Sequence, residues 1–186
     1  MTTNDRAEIF LEMARSTYEP QMTAHLHKDQ PILLPGAWSA GGKVYDEPWD
    51  ITFFGPLVGE FKYAVNGAPD SMSCWREYQM YWVGFPDFRL TDYKVFLKED
   101  GWIARITFGG TAPDGQIATV HQADFATVGE DGRLMRMEWF VDTYQWQQQV
   151  LTKCSGLTIP EIREIVHQPS GYNKLIDYVL ALPQNA

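Results

Sequence analysis

From Phe85 to Gln149 the chain reads as four apolar runs rich in Val, Ile, Thr and aromatics, laid down in succession and followed by a short helix. Three Asp-Gly pairs punctuate it: Asp100-Gly101, Asp114-Gly115 and Asp131-Gly132. Asp-Gly between two such runs is a strong hairpin signal, because glycine tolerates the positive φ of a tight turn. The pattern predicts strands over Phe88–Leu97, Trp102–Gly110, Gln116–Val128 and Arg133–Asp142. Connections this short force antiparallel neighbours.

Helical patterns flank the meander. Ile9, Phe10, Met13, Ala14 and Tyr18 fall on one face of a helix that starts near Asp5, with Pro20 expected to end it. Asp70 caps a second helix from Ser71 to about Val83, with Cys74, Trp75, Tyr78, Tyr81 and Trp82 as a broad aromatic stripe. A short helix is expected from Asp142 to Leu151. Thr158 and Glu161 form a capping box opening another that ends before Pro169, and a last one runs from Tyr172 to Leu182. Helices on one face of a curved antiparallel sheet make an α+β fold. At 186 residues the chain is expected to be one domain, with a Gly-broken loop segment over 36–69 and a helical extension over 158–186. The loop carries Trp38, Tyr45, Trp49, Phe53 and Phe54, which suits a lid over an apolar cavity or a subunit contact.

Charge narrows the partners. The formal net charge of −9 leaves no basic stripe for a phosphate backbone, so nucleic acid is not expected. No apolar run reaches the ~18 residues of a membrane span, and no leader pattern opens the chain. Cys74 and Cys154 form no metal or disulfide spacing, which reads as a reducing, cytoplasmic setting. Seven Trp, nine Tyr and ten Phe are the unusual feature, fitting either a bulky core or an aromatic-lined ligand cavity.

The chemistry-bearing residues lie on the last two strands and the helix before the sheet. Gly-rich phosphate loops, nucleophile elbows and Cys-x-x-Cys pairs are absent, so no cofactor is expected and catalysis would rest on side-chain acids and bases. His121 and Asp124 lie three apart on one strand and face opposite ways unless a bulge intervenes. On the next, Met135, Met137, Trp139 and Val141 share one face, while Arg136, Glu138 and Asp142 share the other. Glu138 either meets water or an interface, or faces a cavity where desolvation would raise its pKa and make it a base. Arg76 and Glu77 border the aromatic stripe, and Glu77 precedes Tyr81 by one helical turn. His25 and His27 alternate without a carboxylate or third histidine at ligand spacing, so no metal is expected there.

Gly-Phe-Pro-Asp-Phe at 84–88, Glu-Asp-Gly-Arg-Leu at 130–134, Glu138-Trp139 and Asp142 together resemble the SnoaL-like polyketide cyclases of the nuclear-transport-factor-2-like superfamily. Gln147-Gln148-Gln149-Val and Gly156-Leu-Thr-Ile-Pro160 also resemble the PhzA/B branch of phenazine biosynthesis. The likeness spans roughly Ser71 to Pro160. It implies a cone-shaped α+β fold with a pocket walled by the second helix and the concave sheet. It also implies a strand-four carboxylate as acid/base, matched by Glu138, and polar helix groups matched by Glu77 and Tyr81. The histidine of the PhzA/B helix is Glu77 here; the His and Asp of the SnoaL cyclases fall near Asp124 and Trp139. The expected pocket wall is Trp75, Tyr78, Trp82, Phe125, Met137 and Trp139.

Two functions follow as expectations. One is a cofactor-independent lyase or isomerase of an aromatic small molecule, with retro-aldol or formaldehyde-releasing cleavage of a lignin-derived diaryl compound as a named case. Glu138, Asp124, Glu77 or His121 would move the proton there, and Arg76 or Tyr81 would steady an oxyanion. The other is a non-catalytic small-molecule-binding or dimerising module. Metal-dependent hydrolysis through His25, His27 and His121 stands third. A homodimer is expected, since an exposed outer sheet face calls for a cover.

Overall fold

The computed structural model describes residues 3–29, 49–54, 61–65, 71–130, 132, 134–168 and 171–183. Helix α1 (Thr3–Thr23) leads into a 3-10 turn (Ala24–Leu26). Strands β1 (Trp49–Phe54) and β2 (Phe61–Val65) precede helix α2 (Ser71–Gly84). The meander then follows as β3 (Arg89–Lys98), β4 (Gly101–Thr111), β5 (Ile117–Val128) and β6 (Leu134–Val141). Helical turns α3 (Thr143–Gln145) and α4 (Thr152–Ser155) flank a π-helical segment, Trp146–Leu151, and helices α5 (Ile159–Val166) and α6 (Gly171–Leu180) close the described chain.

The six strands form one open, curved sheet in the order β2-β1-β6-β5-β4-β3. All neighbours are antiparallel except β1 and β6, which run parallel. The Asp-Gly turns behave as their chemistry dictates. Gly115 and Gly132 sit at φ 86° and 81°, the left-handed region, and Oδ1 of Asp114 accepts the Gln116 N–H at 3.1 Å. The sheet is wider than the four-stranded meander, because the 36–69 segment contributes β1 and β2. Gly and Pro interrupt that segment so often that neither strand stands out against its surroundings. The side chains of β1 and β2, and the aromatics Trp38 and Tyr45, lie outside the described residues.

Pro20 does not end α1; it lies inside it. The missing N–H costs a helix bond, but one bond within the helix and one to α2 hold the next turn in place. Gln21 donates Nε2 to the Thr17 carbonyl at 2.7 Å and accepts the Tyr78 hydroxyl on α2 at 3.0 Å. Tyr18, Gln21 and Ala24 are all buried. The helix after β6 likewise runs past Leu151 to Ser155, ending at Gly156 with φ 70°. The Thr158–Glu161 capping box forms as expected. The core fills the space between the helices and one face of the meander, and its largest fully enclosed side chains include Trp102, Tyr18, Phe85 and Phe88.

Candidate active site

The register decides which side chains meet the helices. Trp102, Ala104 and Ile106 are buried side chains of β4, and their β5 partners are Ala126, Asp124 and Gln122. Across β6 the same face continues through Trp139, opposite Asp124, and Val141, opposite Gln122. Asp124 therefore enters the core with the apolar residues, 2% exposed.

Its two oxygens have separate partners. Oδ2 accepts the Tyr18 hydroxyl at 2.9 Å, and Oδ1 accepts Nε2 of Gln122 at 2.6 Å. The Tyr18 oxygen in turn accepts the Trp102 indole N–H at 3.1 Å, which orients the phenol hydrogen toward the carboxylate. Burial pushes the Asp124 carboxyl up to about 7, against the smaller opposing pull of the Gln122 and Tyr18 hydrogen bonds. Burial also raises the Tyr18 phenol well above its ordinary value, with the Asp124 charge adding to it. A carboxyl titrating near neutrality, with a phenol donor locked against it, can accept and return a proton without a large energetic penalty.

A second buried carboxylate lies between helices. Glu77 on α2 accepts hydrogen bonds at Oε1 from the hydroxyls of Tyr81, one turn on, and Tyr172 on α6. The two phenol oxygens are 2.9 Å apart, and Tyr81 also accepts the Trp146 indole N–H at 3.0 Å. Burial, with the Glu77 charge next, holds both phenols well above their ordinary range. The α2 stripe packs ring on ring: Trp75 and Trp82 have centroids 5.3 Å apart, and Tyr81 lies 4.6 Å from Phe88.

The sequence candidates thus separate by face. Asp124, Glu77, Tyr81, Trp75, Tyr78, Trp82 and Trp139 are buried. Glu138 pairs with Phe125 in the register, on the face away from the helices, and ion-pairs with Arg136 at 2.7 Å. Its side chain is 26% exposed and lies on the outer face beside Phe125 rather than with the buried carboxylates. His121 is exposed and shares a 3.2 Å hydrogen bond with Thr107 on that same outer face. With no bulge between them, His121 and Asp124 do face opposite ways. Arg76 is ion-paired to Asp177 at the surface. Phe125 packs on Phe140, centroids 5.2 Å apart, on the outer face. The Met137 side chain lies outside the described residues. No group of three metal-ligating side chains occurs among the described residues, and His25 and His27 sit in and beside the 3-10 turn rather than on a strand.

Sequence reasoning missed Tyr18, Trp102, Gln122, Tyr172 and Trp146. Gln122 was legible as a polar residue two positions from Asp124, hence on its face. The others look like ordinary core aromatics until the tertiary contacts turn their polar tips inward.

No family model matches the chain, and neither does any curated protein. Solved structures do. A protein from Jannaschia sp. CCS1, described as a SnoaL-like polyketide cyclase, superimposes with TM-score 0.50 at 13% identity, covering 77% of this chain and 92% of that one. An NTF2-like protein of unknown function from Burkholderia pseudomallei K96243 gives TM-score 0.50 at 19% identity over 76% of this chain and 97% of its own. TerC, co-crystallised with polyporic acid, gives TM-score 0.50 at 17% identity over 76% and 97%. The chain has the nuclear-transport-factor-2-like fold, an α+β cone, shared with SnoaL-like proteins.

Proposed function

We propose that this chain is a cofactor-independent acid/base enzyme of the isomerase, cyclase or lyase kind, acting on a small ring compound through Asp124. One observation carries the reading: a carboxyl enclosed by the core, held between two uncharged donors, with its pKa pushed up to about 7. Asp124 would take a proton from an acidic C–H or O–H at the Oδ1 side, displacing the Gln122 amide. Tyr18 stays hydrogen-bonded throughout and shares the charge, and the protonated carboxyl returns the proton to product. The names of the solved relatives agree, one being described as a cyclase and another crystallised with polyporic acid.

Within this class the retro-aldol case has a balanced route. Asp124 removes the hydroxyl proton of a hydroxymethyl diaryl compound, the C–C bond breaks as formaldehyde leaves, and the resulting carbanion takes the proton back. The aromatic surplus of the chain, seven Trp, nine Tyr and ten Phe, suits such a substrate by stacking. The test is proton exchange at carbon in D2O, followed by NMR on enolisable aryl ketones, with formaldehyde release followed on hydroxymethyl diaryl compounds. Asp124→Asn should lower turnover by ~100-fold or more. Wild-type rates in that variant would end the proposal.

A second reading, a binding and dimerising module of the same fold, is favoured by the outer sheet face. Phe96, Ile103 and Phe125 are successive register partners there, and Phe96 is 48% exposed. A homodimer through this face is proposed under either reading. Light scattering should report a dimer that Phe96→Glu dissociates. The free, buried Cys154, its thiol pushed up to about 12 by burial, is inert and suits the reducing cytoplasm proposed for the protein. No described helix is long and apolar enough to cross a membrane.

A further inference from the structure

Asp124 is closed to any ligand until a neighbouring side chain moves. It is 2% exposed and both oxygens are occupied, Oδ2 by the Tyr18 hydroxyl and Oδ1 by the Gln122 amide. Register names its other neighbours. Ala104 on β4 and Trp139 on β6 stand opposite it, and Gln122 and Ala126 lie two residues away on the same face of β5.

One of these can give way. Ala104 and Ala126 are fully enclosed, with no side chain to swing aside. Tyr18 is buried, its oxygen takes the Trp102 indole N–H at 3.1 Å, and its ring centroid lies 5.3 Å from that of Tyr93. Trp139 is buried as well. Gln122 is half-buried, the only one of these described neighbours to be so. Its three side-chain torsions can carry the amide off Oδ1 while the strand stays paired. An Oδ1 left bare in the core is costly, so whatever enters must bring a donor of its own.

We propose that Gln122 is a specificity-determining gate: its amide holds the substrate's place on Oδ1, and the site opens to an uncharged small molecule whose own O–H or N–H takes that place. The inference rests on the Asp124 reading above and narrows its substrate class. A C–H donates too weakly to replace the amide, so hydroxyl-bearing compounds enter ahead of their hydrocarbon analogues. An anion is disfavoured, because neither donor to the ionised carboxyl carries a positive charge to offset the repulsion. The gate also acts on the acid itself. Against the upward push of burial, the Gln122 bond lowers the Asp124 pKa more than the Tyr18 bond does. Releasing it leaves a stronger base as the substrate is seated.

The test is NMR of the Gln122 side-chain amide and the Asp124 carboxyl carbon, at a pH where each protein's own titration shows Asp124 ionised. The probes are benzyl alcohol and ethylbenzene, the same shape with a methyl in place of the hydroxyl. Benzyl alcohol should move both signals along one saturation curve, and ethylbenzene at equal concentration should leave the Gln122 amide unmoved. Gln122→Leu and Gln122→Ala, followed at the Asp124 carbon, should bind benzyl alcohol about 5-fold more tightly, since no amide has to be displaced. A Gln122 amide that responds to both probes alike, or to neither, would overturn the proposal. So would benzyl alcohol affinity that is unchanged or weaker in both variants. Neither probe has to be turned over, which keeps the two readings separable. A failed gate beside an inactive Asp124→Asn removes the gate alone, whereas wild-type turnover by Asp124→Asn removes the reading on which the gate rests.

Discussion

Tyr18 donates its hydroxyl hydrogen to Oδ2 of Asp124 at 2.9 Å, joining residues 106 positions apart. Both hydrogen-bond donors to the Asp124 carboxyl, Tyr18 and Gln122, are uncharged. The phenol lowers the carboxyl pKa less than burial raises it, which leaves the acid near neutrality instead of far below it.

Asp124 should make the protein less stable as pH rises. Its folded pKa is about 7 against an ordinary 3.8, so the folded state binds the proton more tightly than the unfolded chain. By linkage, stability is greatest below pH ~4 on this account, falls through the interval, and levels off above pH ~7. Three units correspond to up to about 4 kcal/mol. Asp124→Asn should flatten this dependence and be the more stable protein at pH 8, as urea unfolding at pH 5 and pH 8 would show.

Tyr18→Phe removes a buried donor and leaves the Trp102 indole N–H without its acceptor. A cost of about 1–3 kcal/mol is expected. Losing that donor also raises the Asp124 pKa further, so the basic form is reached at higher pH. Carboxyl carbon NMR titration of wild type and variant would record an upward shift; a downward one would refute the arrangement.

Tyr172→Phe takes one of the two phenol donors from Glu77 and loosens α6 from α2. Destabilisation of about 2 kcal/mol is expected for a lost bond to a charged acceptor. Faster amide exchange confined to α6 would accompany it.

Glu138→Gln should change little. The Glu138–Arg136 pair is partly solvated, with side-chain exposures of 26% and 59%, and such pairs contribute about 0–1 kcal/mol. Turnover in the deuterium assay should match wild type, in contrast to Asp124→Asn.

The Asp-Gly turns, the meander, the capping box at Thr158 and the aromatic helix stripe were legible from local chemistry, because each depends on neighbours within a few residues. Strand alternation also split His121 from Asp124. Other features depended on distant chain. Pro20 predicts a helix end from its own missing N–H, yet Gln21 and Tyr78 carry α1 across it. Strands β1 and β2 take their place only by adding to the edge at β6, a pairing that leaves no local pattern.

What the sequence determined by itself was the period of each element, and so which residues travel together on a face. Which of the two faces the helices cover was left to tertiary structure. A strand carries Asp124 on one side and Phe125 on the other with equal ease, and pleat geometry is indifferent to which of them is buried. Packing of α1 against the Trp102 and Asp124 side broke that symmetry. It placed a phenol against one carboxylate and left Glu138 beside Arg136 on the outer face.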